Sequence, residues 1–423
     1  MTRTSPARSL FPTSFRGRLV LVVAIAAIVR VAYALALAPP LSFFDDDAFF
    51  HGTAQLLAHG HGYIRPLDFG FHGQSIPTAE HPPLYPLLLS VPSALGLEGL
   101  DAARMIGVAI GTGTVAVAAL IGRRVAGDRA GLAAAVLCAA YPSFIAADGA
   151  IMSETLFGFL VALGVLMALR LRTRPSPAVA AGLGVAVGLA ALTRSEGLLL
   201  LPLLGMPALW RASGHRLALG AAAALATVVV LAPWVVRNAD VFGRPVLSDN
   251  QGTLLAGSNC RRTYYGKDIG WFSVACVAAA NPSGAGPATN EAKRSAGLTS
   301  RGLDYAGAHP ARAVLVAAVR LARVWGLYQP GRQAVATGRR VWVQKVGVVS
   351  YYAVAVMAIL GAVTLRRRRD ELAILVAPIL LASFVALVSW GSVRFRHEAE
   401  VMLLVLAGVA IARTRRASPA PTD

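Results

Sequence analysis

Charge is scarce in this chain, and acid scarcer than base: 14% of the 423 residues are charged, with 21 Asp+Glu against 40 Lys+Arg. That is too little charge to solvate the surface of two or three soluble domains of this length, so an ordinary cytosolic enzyme is excluded. Lysine is nearly missing, occurring only at Lys267, Lys293 and Lys345, so the formal charge of +19 is almost all arginine. Three cysteines exclude a disulfide scaffold, and no CxxC pair suggests a zinc module. No Walker loop, no Rossmann glycine pattern in a strand-to-helix setting and no fixed-period repeat is present. What the chain does have is apolar sequence, 56% hydrophobic with a mean hydropathy of +0.60. Several of its apolar runs approach the roughly 20 residues needed to cross a hydrocarbon core about 30 Å thick, which makes it an all-α polytopic membrane protein.

The apolar segments predict ten crossings at 19–38, 103–122, 129–147, 152–170, 178–192, 196–210, 216–236, 346–365, 371–390 and 399–412. Alternate connections carry Arg123, Arg124 and Arg129; Arg170, Arg172 and Arg174; Arg211 and Arg216; Arg366 to Arg369; and Arg413, Arg415 and Arg416. Arg3, Arg8, Arg16 and Arg18 precede the first span, so all these blocks fall on one side, which the positive-inside rule makes cytoplasmic together with both termini. A pI near 11 would otherwise suggest nucleic acid, but charge placed in short blocks between spans argues for no nucleic-acid partner. The first segment reads as a retained span rather than a signal peptide, because it is long for an h-region, contains Arg30 and is followed by Pro39 and Pro40. Arg30 inside a span should face the bundle interior and pair with another helix.

The domain layout is then a basic N-terminus over 1–18, a bundle of about seven helices over 19–236, an outer loop over 237–345, three further helices over 346–412 and a tail over 413–423. An outer loop over 39–102 interrupts the first bundle. It opens with Asp45, Asp46 and Asp47, and Phe49, Phe50, Thr53, Leu56 and Leu57 then recur at helical spacing, predicting an amphipathic interfacial helix with acids at its N-terminus. A second such element covers Pro83 to Leu95. In the later loop, Arg312, Arg320 and Arg323 share one arc of a helix with Val314, Leu315, Val316 and Val319 on the other, which reads as lying on the membrane. Cys260 and Cys276 share that loop and could pair in an oxidising compartment, a question that spacing leaves open.

Carboxylates just outside a span could deprotonate a hydroxyl or bind a cation at headgroup level, or simply cap a helix. Successive helical residues point about 100° apart, so at most one or two of the three Asp can face one site. His51, His81, Asp148, Glu154 and Glu196 recur at the same outer level and could join them, with Asp148, Glu154 and His81 as a candidate divalent-metal or second acidic site and no cofactor specified by spacing. Outer turns should be poor in Arg, yet Arg194, Arg237, Arg394 and Arg396 sit there. The planar guanidinium fork suits phosphate oxygens, so these four are the candidates for a lipid-linked phosphate; for Arg194 a structural bridge to Glu196 is the alternative.

These residues bring out a family likeness. Asp46-Asp47-Ala48-Phe49-Phe50 followed by Leu57-Ala58-His59-Gly60-His61-Gly62-Tyr63 resembles the first outer loop of the dolichyl-phosphate-mannose–protein mannosyltransferase-like proteins, the superfamily that includes the aminoarabinose lipid A transferases. His81-Pro82-Pro83-Leu84-Tyr85-Pro86, Ser153-Glu154-Thr155-Leu156, Ala191 to Leu198, Pro233 to Asn238 with Phe242-Gly243, and Arg394-Phe395-Arg396 are similar to later family motifs and follow in the same order. The resemblance implies a C-type glycosyltransferase fold and inverting transfer from a polyprenyl-phosphate sugar to an acceptor hydroxyl of a glycan, lipid or protein at the outer face of the plasma membrane. On that template Asp46 matches the family's acid, with Asp47 in place of the usual Glu, and Asp45, His51, Tyr85 and Glu196 are further substrate-binding candidates. Alanine and arginine richness points to GC-rich bacterial coding and hence to an undecaprenyl or decaprenyl chain. A transporter or lipid flippase would instead show ionisable residues at the bilayer midplane, broken helices and an internal repeat. A catalytically silent scaffold of the same fold is the third reading.

Overall fold

Ser14 caps the first helix, α1 (Phe15–Ala36), by accepting from the Gly17 N–H at 3.1 Å. The computed structural model describes residues 14–42, 46–210, 215–281, 290–335 and 339–414. Among them regular structure is helical throughout, with one isolated bridge between Ile64 and Pro77. The first outer loop contains the two expected interfacial elements, α2 (Asp46–Ala58) and α3 (Leu84–Ala94). The bundle continues with α4 (Leu100–Ala126), α5 (Asp128–Ala140), α6 (Pro142–Asp148), α7 (Glu154–Thr173), α8 (Pro177–Ala191), α9 (Leu200–Leu209) and α10 (Arg216–Phe242). A subdomain follows, the outer one by the charge pattern of the sequence, built on α11 (Gln251–Ser258), α12 (Glu291–Ala308) and α13 (Pro310–Val324). The chain then returns to the bundle through α14 (Val341–Leu365), α15 (Arg369–Val388) and α16 (His397–Thr414).

Helices stand at each of the ten apolar segments. Six of them (α1, α4, α7, α10, α14 and α15) are long and apolar enough to cross a membrane, and α5 with α6 makes a seventh if that bent pair is one span. α16 is enclosed by α4, α5, α7, α14 and α15, which is why Val401 to Ala410 are apolar on all sides. The close approach of α14 to α16 needs Gly361, where a Cβ would run into the Leu406 carbonyl. The arginine blocks meet at one end of the bundle: Arg124 donates to the Leu169 carbonyl at 3.2 Å, Arg172 pairs with Glu371 at 3.0 Å, and Arg368 reaches the Val125 carbonyl at 2.8 Å.

The span expected over 129–147 is built of two helices, α5 and α6, meeting at 61°. Pro142 has no N–H, so the Cys138 carbonyl loses its intrahelical donor, and the break strips Ala139 of its own. Arg30 of α1 supplies both, donating to Cys138 O at 3.1 Å and Ala139 O at 3.2 Å while its Nε binds Asp148 at 2.7 Å. The intramembrane arginine is therefore a structural pair and sits fully buried. Gly111 faces the Asp148 carboxylate and leaves room for it. Arg30→Met is expected to cost about 3–5 kcal/mol, because it strands a buried carboxylate. Adding Asp148→Leu should recover only part, since the two carbonyls stay unmet. Thermal unfolding in lipid nanodiscs measures this, and full recovery in the double variant would refute the carbonyl role.

The arginines of the helix read as lying on the membrane face protein. In α13 Arg320 and Arg323 are buried, whereas Val314 and Leu315 are exposed. Arg320 donates to the Ser258 and Leu387 carbonyls and to Asn259 Oδ1, and Arg323 to the Ile269 carbonyl at 2.7 Å. The arginine arc thus locks the outer subdomain to the end of α15, because loop carbonyls buried without donors would be costly. Cys260 and Cys276 are joined as a disulfide in this subdomain.

Candidate functional site

Asp46 is the first residue of α2, where the helix dipole favours a carboxylate. Its two oxygens face Arg394 Nη2 at 2.8 Å and His81 Nε2 at 3.7 Å. His81 is wedged against the Phe49 and Phe50 rings, each 4.9 Å away, and Tyr85 closes the cluster at 5.1 Å from Phe50. The two prolines after His81 turn the chain into α3, whose Leu84 N–H bonds the Leu192 carbonyl and so ties the first outer loop to the turn carrying Arg194. Asp47 accepts the Ser42 N–H at 2.9 Å and the Ala48 N–H at 2.9 Å, a capping geometry rather than a place beside Asp46. Asp45 lies outside the described residues.

Arg394 forks between two acids far apart in sequence, with Nε on Glu154 at 2.6 Å and Nη2 on Asp46 at 2.8 Å. Glu154, the first residue of α7, is 2% exposed and also faces Arg194 at 3.9 Å. Arg194 in turn binds Glu196 at 2.7 Å and lies over the Phe395 and Phe157 rings. The result is an alternating row, Asp46, Arg394, Glu154, Arg194, Glu196, whose two ends are part-exposed and whose middle member, Glu154, is buried. Burial pushes the Asp46 carboxyl up, but Arg394 and then His81 outweigh it and hold the group below the ordinary aspartate range. Burial opposes the charge of Arg394 as well, and Glu154 and Asp46 more than restore it.

Two of the four nominated arginines are spent elsewhere. Arg237 donates to the Thr78 and Tyr63 carbonyls at 2.8 and 3.0 Å and to Asn238, latching the segment before His81 onto α10. Arg396 is buried against Glu400 at 2.6 Å and over the Tyr351 ring at 3.6 Å. Asp148 belongs to the Arg30 pair. His51 sits half-buried on α2 with its Nδ1 enclosed and unbonded, and burial lowers its basicity. The candidate metal set does not fit: Asp148 and Glu154 are each already neutralised by arginine, and among the described residues no group of three His, Cys, Asp or Glu is placed to hold a metal ion.

One arginine was passed over in the sequence. Arg339, half-buried just before α14, interacts electrostatically with Glu154, Tyr33 and Asp148. Its Nε is enclosed with no hydrogen-bond partner, and so is the second oxygen of Glu154. The signal was present, since Arg339-Arg340 directly precede an apolar run at the end where arginine should be rare, but the reading began that span at 346.

Residues 80–237 match the family profile of the dolichyl-phosphate-mannose-protein mannosyltransferases. Among solved structures, the oligosaccharyltransferase of Archaeoglobus fulgidus in complex with an inhibitory peptide and a dolichol-phosphate superposes with a TM-score of 0.53 at 14% identity, over 96% of this chain and 52% of that one. The same enzyme in complex with Zn and sulfate gives 0.52 at 14% identity over 93% and 49%. ArnT from Cupriavidus metallidurans bound to undecaprenyl phosphate gives 0.46 at 16% identity over 95% and 79%. The chain spans about half the length of the archaeal enzyme it matches. No curated protein matches in sequence. The likeness read from the ordered motifs therefore holds: the fold is that of the C-type glycosyltransferases, and the mannosyltransferase pattern runs from just before His81 to Arg237.

Proposed function

We propose that this chain, a multi-span membrane protein of the C-type glycosyltransferase fold, transfers a sugar from a polyprenyl-phosphate donor to an acceptor hydroxyl, with inversion, at the outer face of the plasma membrane. The observation that carries the reading is the Arg394 fork, which joins a half-exposed carboxylate to a buried one at the mouth of the bundle. The dolichol-phosphate of the archaeal structure supports a lipid-phosphate donor. In the reaction the acceptor oxygen attacks the anomeric carbon and Asp46 takes its proton. The bond from that carbon to the phosphate oxygen breaks, and polyprenyl phosphate leaves with one added negative charge. Arg394 and Arg339 meet that charge in a partly desolvated site, Arg339 being the arginine of this group whose Nε is uncommitted. Both termini lie on the cytoplasmic side with the arginine blocks.

Asp46 held below the usual range is a weak base until the donor arrives. The donor phosphate draws hydrogen bonds from Arg394 and adds a negative charge nearby, and both effects raise the basicity of Asp46. The free enzyme should therefore show no acidic limb in kcat/KM above about pH 4, while the limb in kcat, which reports the donor complex, lies at higher pH. Coincident limbs would count against substrate activation of the base.

With its buried acids neutralised by arginine, the site needs no cation to balance them, and turnover is expected to persist in EDTA. Loss in EDTA with recovery on adding a divalent ion would assign a metal to Asp46 and His81. The decisive experiment is sugar transfer from radiolabelled polyprenyl-phosphate donors by protein in nanodiscs, wild type against Asp46→Asn. The buried Arg30–Asp148 pair favours this reading over transport, because it leaves the charge inside the first span fixed.

A further inference from the structure

Beside the disulfide, on the outer subdomain, α11, α12 and the loop after Cys260 line an open surface hollow of about 740 Å³. Its lining contains Arg261, Arg262 and Arg301 and, among the described residues, no acidic residue. Arg261 and Arg301 have no carboxylate partner among the described residues, and Arg262 shares its one acid, Asp268, with Arg332, which lies closer at 3.0 Å against 3.4 Å. An electropositive concavity with uncommitted guanidinium forks is built for carboxylate or phosphate oxygens.

The rest of the wall is suited to sugar rather than to an ion alone. Tyr265 is 44% exposed, and Arg312 stands 4.5 Å from its ring, while Tyr305 is stacked on His309 at 4.4 Å. Held aromatic faces beside guanidiniums offer a pyranose ring both an apolar floor and charged donors. The volume falls in the range of specific small-ligand sites, enough for more than one monosaccharide. The frame is rigid: the disulfide closes one rim, and Asn259 under the floor is fixed by Arg320 and the Tyr264 hydroxyl. It is also bonded to the catalytic end, because the Gly391 N–H meets the Gly270 carbonyl at 2.9 Å and Arg320 reaches Leu387, just ahead of Arg394.

We infer that this hollow binds an anionic saccharide, a sugar chain bearing carboxylate or phosphate, and serves as the docking subsite for the acceptor. The acceptor role rests on the transferase reading above; the binding does not. The test uses the full chain in neutral-lipid nanodiscs, with trigalacturonate as probe, maltotriose as its neutral counterpart and inorganic phosphate as the bare anion, followed by calorimetry. Trigalacturonate is expected to bind one to one and to weaken at least 10-fold in R261Q/R301Q, exposed positions whose replacement should leave the thermal midpoint unchanged; maltotriose should not saturate. No binding of trigalacturonate, equal affinity for maltotriose or for phosphate alone, or an undiminished affinity in the double variant would each overturn the inference. Loss of binding when the nanodisc contains anionic lipid would assign the arginines to headgroups and overturn it too. Asp46→Asn should leave this affinity intact, so failure of the transferase reading and failure of this one give different results.

Discussion

Asp46→Asn is expected to lower kcat by about 10²–10⁴-fold, the usual contribution of a positioned general base, with donor affinity changed only a few-fold. The amide keeps the shape and a hydrogen bond to Arg394 but cannot accept the acceptor's proton. Asp47→Asn makes a sharp contrast, since the Asp47 carboxylate caps backbone N–H groups at Ser42 and Ala48. Its replacement should cost no more than about 1 kcal/mol of stability and spare the chemistry. Initial rates of sugar transfer at saturating donor decide the matter. Full turnover in Asp46→Asn would remove Asp46 from the base role, and the same loss in both variants would mean that the helix start matters rather than the carboxylate.

Arg394 should give the second large effect, on stability and rate together. Arg394→Ala strips Glu154, 2% exposed, of its hydrogen-bonded partner and leaves only Arg194 at 3.9 Å and the field of Arg339 to face it. Leaving a buried carboxylate short of its partner costs about 3–5 kcal/mol, enough to lower the thermal midpoint sharply. Arg394→Lys separates the two roles. A lysine can neutralise Glu154 but cannot reach two acids at once with a rigid fork. Stability should then be largely retained while kcat falls at least 10-fold. The sign of the pH effect follows as well: Arg394 lowers the Asp46 pKa, so weakening that contact moves the acidic limb of kcat/KM upward. A lysine variant with wild-type rate and an unmoved limb would refute the fork's role.

Much of this architecture was legible because hydropathy is a local signal. All ten apolar segments contain helices, and the acids at the start of α2 stand where helical spacing puts them. The break at Pro142 was not legible, because a proline inside an apolar run shows only that a carbonyl has lost its donor. That Arg30 replaces the donor depends on a helix more than 100 residues earlier. The outer arginines make the same point about the site. Their unusual side of the membrane drew attention to Arg194, Arg237, Arg394 and Arg396 alike, but sequence gives the position of a charge and not its partner. Two of them join the row behind Asp46, while Arg237 holds loop carbonyls and Arg396 holds Glu400. Arg339 escaped notice because its span was begun five residues too late, a boundary error within the ordinary range.

The contact between Asp46 and Arg394 closes a separation of 348 residues. At about 5–20 residues per second, roughly 20 to 70 seconds pass between synthesis of the first acid and of the arginine that answers it. Until Arg394 is made, Glu154 lacks its closest partner and faces only Arg194 and then Arg339, and the mouth of the bundle has one wall missing. A chain stalled before its last two helices therefore carries a buried acid without its hydrogen-bonded arginine, which desolvation makes costly. The pairing that holds down the basicity of Asp46 in the finished chain therefore forms only when the chain is nearly complete.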